Sequence, residues 1–361
     1  MPFAEAVTDL AAHTTIGLGG PAKEFAEART ELDLLSLLDD AEQGELFVLG
    51  GGSNILVADD GVEGRTLKVL TRGIERVHTD QDRKLLRVQA GESWDRLVTE
   101  TVDNDLAGIE CLAGIPGTVG ATPIQNVGAY GQEVAEVIVK VEAFDRHLRR
   151  VVELTREDCQ FDYRTSMFKK TPGRYVVIAI QVKLERSALS KPIRNKELAA
   201  RLGVTRRDRV DLNEAREAVL ALRRKKGMVL DRGDPDTYSL GSFFTNPRFG
   251  LEELQALEAR ALKATGETPP TFAERSGADG VRVPAAWMIE RAGFDKGHGG
   301  DRGIGISGKH VLALVNRGGG TTSEVMELAH TIVSRVWDLF GVALSPEPTF
   351  IGHAWTAPAL E

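Results

Sequence analysis

The apolar positions along the chain alternate between two periods. Leucines at 32, 34, 35, 37 and 38 recur at helical spacing and predict a short amphipathic helix over Glu31 to Glu42. Short apolar runs at Glu45 to Leu49 and Ile55 to Ala58, separated by a glycine turn, have strand length. Leu85 to Ala90 predicts a strand, and Ser93 to Asn104 a helix with Ser93 as N-cap. Val137 to Phe144 and Tyr175 to Leu184 are β-rich, and Val139, Val141 and Ala143 alternate with polar neighbours, which places them on one face. Glu185 to Asp211 is polar, carries Pro192 and reads as a linker or as a mobile loop over a site. Asp211 to Lys226 predicts a helix capped by Asp211, with Ala215, Val219 and Leu222 inward. Beyond Gly227 come an aromatic strand at Ser242-Phe243-Phe244, helices at Leu251 to Leu262 and Thr321 to Phe340, and an exposed loop at Gly266 to Gly280. The class is mixed α and β, with boundaries expected near residue 72 and within 211–230.

Composition narrows the function. With 361 residues, 42% hydrophobic and 27% charged, the chain can build cores of normal size. The net charge of −8 and the brevity of the one basic run, Arg223-Arg224-Lys225-Lys226, argue against a nucleic-acid binder. No apolar run approaches the ~20 residues of a membrane span, and no basic segment leading an apolar stretch opens the chain. Two cysteines, Cys111 and Cys159, make neither a disulfide framework nor a cysteine-rich zinc site, and no metal is expected. A reducing cytoplasm is the expected location.

Glycine changes the picture most. Of thirty-eight glycines, twenty gather at 17–20, 50–52, 114–131, 297–308 and 318–320. Gly50-Gly51-Gly52-Ser53-Asn54 lies between two predicted strands, where successive N–H groups can form a nest for phosphate oxygens with Ser53 and Asn54 as added donors. It is neither a Walker loop nor a GxGxxG turn opening a helix. The stretch Ala113-Gly114-Ile115-Pro116-Gly117-Thr118-Val119-Gly120-Ala121-Thr122-Pro123-Ile124-Gln125-Asn126-Val127-Gly128-Ala129-Tyr130-Gly131 carries no charge. A solvent loop would be more polar, so this segment fits against something flat or extended; a buried glycine-rich turn is the plainer alternative.

These two motifs, then Tyr163-Arg164-Thr165-Ser166-Met167-Phe168-Lys169, Gly241-Ser242-Phe243-Phe244-Thr245-Asn246-Pro247 and Pro346-Glu347-Pro348-Thr349-Phe350-Ile351-Gly352, come in an order that resembles the UDP-N-acetylenolpyruvoylglucosamine reductase family. Thr14-Thr15-Ile16-Gly17 resembles the family's opening segment. The resemblance implies an α+β chain: a para-cresol-methylhydroxylase-type FAD-binding fold of two subdomains plus a C-terminal substrate-binding α+β domain. The divisions it suggests are 1–72 joined by the tail at about 345–361, then 73–222 with a substrate-covering loop at about 185–211, then 223–344.

It further implies noncovalent FAD, with Gly50 to Asn54, Ile115 to Thr118, Gly120, Ala121, Gln125, Asn126 and Gly128 to Tyr130 at the cofactor. NADPH would be the reductant and a UDP-sugar the substrate, with no nucleic acid or membrane partner and a monomer as the expected state. The implied reaction reduces UDP-N-acetylglucosamine enolpyruvate to UDP-N-acetylmuramate, in peptidoglycan precursor synthesis. Hydride would come from flavin N5. Ser242 resembles the proton donor, Arg164 the carboxylate-facing arginine and Glu347 the acid that works with it. Tyr163, Lys226 and Asn246 resemble substrate contacts. Taken singly, Ser242 is a strand serine, Arg164 a surface ion-pair partner, Glu347 a loop carboxylate and Lys226 a solvated helix end. Pro123-Ile124-Gln125-Asn126 matches the subtype with the covering loop, whose clamping tyrosine is replaced by Asn195 in Lys191-Pro192-Ile193-Arg194-Asn195. Another flavin oxidase of the same fold, or a flavin- or nucleotide-binding protein without turnover, are the alternatives.

Overall fold

The computed structural model describes residues 7–40, 46–273 and 280–358. The ends of two expected elements, 41–42 and 45, and residues 274–279 of the expected 266–280 loop lie outside the described residues. The chain forms two compact units. Among the described residues, one holds most of 22–52 and Glu63–Val229; the other holds Asp9–Pro21, Ser53–Val62 and those from Leu230 onward.

In the first unit the leucine pattern does form a helix, Glu31–Asp40, which buries Leu34, Leu37 and Leu38. Leu46–Leu49 runs parallel to Val62–Val69, in register Leu46 with Arg65 and Leu49 with Lys68. A larger antiparallel sheet orders its strands as Arg150–Thr155, Ile138–Asp145, Tyr175–Arg186, Arg83–Gln89 and Ile74–Thr79. The helix Trp94–Asp103 packs into this core through Trp94, Leu97, Val98 and Val102. Its first turn is closed by Ser93, whose side chain accepts from the Arg96 N–H, and the buried Trp94 indole donates to Leu112 O at 3.0 Å.

Two expectations need correction here. Val139 does not share the inner face with Val141 and Ala143; it is 41% exposed while both of those are buried. The cause is a register shift between Ile138 and Lys140 against Tyr175–Arg186, because one extra residue in a strand reverses the facing of its neighbours. The 185–211 stretch is not a bare linker either. It folds on itself through Ser190 N–H to Val210 O, Ile193 N–H to Asp208 O and Arg207 N–H to Ile193 O. It also contains a helix, Lys196–Leu202, and buries Ile193, Leu198 and Ala199. The helix Leu212–Lys225 comes next as expected, with Asp211 accepting from the Asn213 and Glu214 N–H groups.

In the second unit the helix Thr322–Phe340 supplies the core face Val325, Ala329, Ile332, Val333, Val336 and Phe340. Thr321 and Glu324 close its first turn as a capping box, and Asp59 accepts from the Thr322 and Ser323 N–H groups at 2.7 and 2.9 Å. Leu251–Thr265 and Ala285–Arg291 are further helices, beside a hairpin of Ile304–Ile306 and Leu314–Asn316. Asn316 donates to Ile16 O and Gly17 O, holding the Thr14–Gly17 segment in this unit. Thr349–Ile351 pairs in parallel with Ile55–Val57, in register Phe350 with Leu56.

Ser242-Phe243-Phe244 is not a strand. Phe244 makes a single isolated bridge to Pro346, and no ladder grows from it because the flanking donors bond elsewhere, the Phe243 N–H to Leu312 O and the Thr349 N–H to Asn54 O. Among the described residues no helix is long and apolar enough to cross a membrane.

Candidate functional site

In the first unit the two glycine-rich segments meet backbone to backbone. A Cβ on Gly51 would stand 2.4 Å from Gly117 Cα, and one on Gly50 would stand 2.7 Å from Thr118 Oγ1. A Cβ on Gly120 would stand 2.5 Å from the Ala90 Cβ. A side chain at Gly51 would force the two segments apart. The 117–120 stretch is pinned from behind by Trp94 N–H to Gly117 O, Val119 N–H to Glu92 O and Gly120 N–H to Ala90 O. Glu92 is itself buried, and its carboxylate accepts from the Gly73 and Ser93 N–H groups and from Arg72 and Arg96. What the cradle presents outward is Gly51 and Pro116, both exposed or nearly so, beside half-buried Ile115 and Thr118. This is a fixed, uncharged edge with little side chain on it. Such an edge fits an extended dinucleotide cofactor lying along it.

The rest of the segment builds a second feature. Gly128 and Ala129 pair with Glu133 and Gln132 across a two-residue turn, Tyr130-Gly131, both at positive φ as a tight hairpin requires. Asn126 is buried. It accepts from the Ala135 N–H and donates to Glu133 Oε2 and Asp162 O. Arg164 sits in a turn closed by reciprocal Asp162–Thr165 backbone bonds and takes φ +53°. Its guanidinium donates to Gly128 O at 2.6 Å and to Asn126 O at 3.4 Å, and stands 5.2 Å from the Tyr163 ring centre. Asn126, Tyr130 and Arg164 are three of the seven non-glycine residues with positive φ among those described. Strain gathered in one place against buried partners is a mark of a functional site.

Lys226, the C-cap of Leu212–Lys225, pairs with Glu197 at 2.5 Å and stands 5.7 Å from the Tyr130 ring centre. Burial pushes the Tyr130 phenol up to about 12; nearby Arg223 works against this and Glu197 with it. Arg223 is half-buried, and burial pulls its guanidinium below its ordinary value while Tyr130 and Asp95 oppose that. It donates to Met228 O at 2.7 Å. Sequence reasoning missed Arg223, weighing the basic run only for its length and, at Lys226, for a substrate contact or a solvated helix end. Its spacing of four from inward-facing Val219 is the available signal. Glu197 gave no local signal at all, since its partner is distant in sequence.

The second unit holds Ser53, Asn54, Ser242, Asn246 and Glu347. Phe243, next to Ser242, donates to Leu312 O at 2.8 Å, and its own carbonyl accepts from the Glu347 N–H at 2.7 Å. The Ser242 and Glu347 segments are thus bound directly to each other. Asn54 donates from its amide to Glu347 O, and its carbonyl accepts from the Thr349 N–H. The Asn246 side-chain oxygen accepts from the Ala285 N–H at 2.9 Å, starting the helix Ala285–Arg291. Arg164, Tyr163 and Lys226 belong to the first unit.

A FAD binding domain model matches residues 22–151, and a model of the UDP-N-acetylenolpyruvoylglucosamine reductase C-terminal domain matches residues 234–351. The UDP-N-acetylenolpyruvoylglucosamine reductase of Thermobifida fusca is 47% identical over 95% of this chain and 96% of its own. That of Salinispora arenicola is also 47% identical, over 97% and 96%. The chain belongs to the UDP-N-acetylenolpyruvoylglucosamine reductase family. The crystal structure of the Thermus caldophilus family member aligns over 97% of this chain and 99% of its own, with a TM-score of 0.65 at 24% identity. The architecture is therefore the family's α+β, FAD-binding fold. Within it, Asn195 stands where the resemblance leads one to expect a tyrosine. Asn195 is the N-cap of Lys196–Leu202, its side chain accepting from the Leu198 N–H at 2.9 Å. An asparagine is favoured there for that reason, and a tyrosine would leave the N–H without this acceptor.

Proposed function

We propose that this family member reduces the enolpyruvyl ether of UDP-N-acetylglucosamine to UDP-N-acetylmuramate, with FAD as cofactor and NADPH as reductant, in peptidoglycan precursor synthesis. Bound FAD supplies the hydride chemistry. The observation that supports the residue assignment is the bond from the Glu347 N–H to Phe243 O, which ties the Glu347 backbone to the residue after Ser242. In this reading Ser242 delivers the proton to the substrate carbon next to the carboxylate. A serine hydroxyl is a poor acid, so the step needs neighbouring positive charge to lower its pKa, while Glu347 is the acid that works with Arg164 on the enol carboxylate. Arg164 binds the substrate carboxylate, its fork suited to two oxygens at once. Lys226 serves the diphosphate, and Tyr163 and Asn246 complete the substrate contacts.

The glycine cradle holds FAD without a covalent tether. The reading is supported by Cys111, the conventional tethering group near that cradle: it is buried, and burial followed by the Glu110 charge pushes its thiol well above its ordinary value. The three-part division at 72 and 222, a monomeric state, small-molecule partners alone and a cytoplasmic location belong to the same proposal. Anaerobic mixing tests it. NADPH should bleach the flavin, and the enolpyruvyl substrate should restore its absorbance. In Ser242→Ala, bleaching should persist while restoration slows by about 10²- to 10⁴-fold. Equal slowing of both steps would remove the proton-donor role.

A further inference from the structure

The chain does not stop at the Pro346–Gly352 motif, and its tail folds back to pack against that motif. Gly352 turns the backbone at φ +76°, in a place where a Cβ would come within 2.4 Å of Gly61 O. Past this turn, His353 Nε2 lies 3.1 Å from Leu56 O, so the tail is anchored to the strand that pairs with Thr349–Ile351. Trp355 then lands on three rings. It stacks on Phe350 with centroids 5.6 Å apart and planes at 29°, and meets Phe243 edge-on at 6.4 Å. Against it too lies His330 of the helix Thr322–Phe340, at 4.6 Å.

The two phenylalanines are not arbitrary core residues. Phe243 is joined by a peptide bond to Ser242 and by its carbonyl to the Glu347 N–H. Phe350 lies three residues after Glu347, and its ring meets Phe243 edge-on at 6.4 Å. The Ser242 segment has no ladder to hold it, only an isolated bridge and scattered backbone bonds. Its position therefore depends on side-chain packing, and Trp355 is a ring that touches both phenylalanines.

We infer that Trp355 is a positioning residue for Ser242, acting through the Phe243 and Phe350 rings. The inference rests on the role proposed for Ser242. With the indole removed, both rings gain freedom to rotate and the Phe243–Glu347 bond loosens. The serine hydroxyl then moves relative to the carbon it must protonate, and such displacement costs rate in the step that uses it. The step that reduces the flavin does not use it.

The test uses the FAD-loaded full chain and tracks the two half-reactions separately, with Trp355→Ala, Trp355→Phe, Ser242→Ala and the Trp355→Ala/Ser242→Ala pair. Trp355→Ala should slow flavin reoxidation by enolpyruvyl substrate by on the order of 10- to 10²-fold, with flavin reduction by NADPH and substrate KM little changed. Trp355→Phe, which keeps a stacking ring, should recover most of the rate. The double variant should be no slower than Ser242→Ala alone, because the positioned group is already gone. Should Trp355→Ala fail to hold FAD, Trp355→Leu keeps apolar volume without the stack and is expected to show the same split. Slowing of both half-reactions together, or losses that multiply in the double variant, overturns the inference. So does an unchanged Trp355→Ala beside a slow Ser242→Ala, which leaves the serine's role standing. A Ser242→Ala enzyme that reoxidises at the normal rate overturns the serine's role and this inference with it.

Discussion

Gly51→Ala asks whether the closeness of the two glycine segments is what makes the cofactor cradle. The new methyl carbon would sit 2.4 Å from Gly117 Cα, 3.0 Å from its carbonyl carbon and 3.3 Å from Thr118 N. Ordinary contact begins near 3.4 Å, so something must give by about 1 Å. All three atoms are backbone, and Gly117 and Val119 are tied to Trp94 and Glu92 by bonds of 3.1 and 2.9 Å. Overpacking of this kind costs about 1–3 kcal/mol. If the displacement is taken up in the cradle, FAD affinity falls by about 5- to 150-fold. Gly50→Ala is the matched control. Its methyl first meets Thr118 Oγ1 at 2.7 Å, a side-chain hydroxyl that can rotate away, so its effect should be clearly smaller. Titration of the apoprotein with FAD, read by quenching of flavin fluorescence, measures both. A Gly51→Ala protein that binds FAD as tightly as the parent, or more tightly than Gly50→Ala, refutes the cradle's role.

Three further variants probe the surroundings. Glu197→Gln frees Lys226 from its ion pair; such partly exposed pairs are worth about 0.2–1 kcal/mol, so substrate KM should fall by up to about fivefold with kcat unchanged, and a KM that rises in steady-state assays counts against Lys226 as a diphosphate contact. Asn195→Ala removes the cap of Lys196–Leu202 and should cost about 0.5–2 kcal/mol in a denaturant melt, whereas Asn195→Asp should not. Burial works to raise the Glu142 carboxyl, but Arg87 and Gln181 outweigh it and hold it below its ordinary value. A depressed folded pKa contributes stability above the unfolded value of about 4.3, lost as pH falls through the folded one; Glu142→Gln should therefore flatten the acid limb of a Tm-against-pH curve and leave its slope above pH ~6 alone.

Local chemistry made much of the fold legible. Ser93, Asp211 and Thr321 each mark a helix start that depends on three or four adjacent residues, and each is the cap observed. Misreadings occurred where the deciding partner is far along the chain. Val139 is turned outward by a register shift against Tyr175–Arg186. Ser242-Phe243-Phe244 has strand composition, but the Phe243 N–H bonds to Leu312 O, far along the chain, and no window around residue 243 contains that fact. The polar 185–211 stretch hides an ordered core of Ile193, Leu198 and Ala199 among its charges. The candidate site was legible through the order of its motifs. Its physics was not: nothing in Tyr163-Arg164-Thr165 announces a left-handed arginine.

That arginine shows how the site is held together. Non-glycine residues at positive φ cost on the order of 1–3 kcal/mol each, and a chain keeps them only where surroundings over-determine them. At Arg164 the reciprocal Asp162–Thr165 bonds fix the turn, and one N–H from each terminal guanidinium nitrogen donates to a carbonyl, those of Asn126 and Gly128. Asn126 is in turn fixed by three hydrogen bonds in a buried setting, and Tyr130 by the hairpin that pairs Gly128 with Glu133. Each strained residue is therefore locked by a neighbour that is itself strained or paired, so none can relax alone. A lysine at 164 could carry the charge but could not span two carbonyls with a planar fork. The glycine-rich segment and the arginine turn, separate motifs in the sequence, are in the fold one structural device: the first supplies the carbonyls that orient the second.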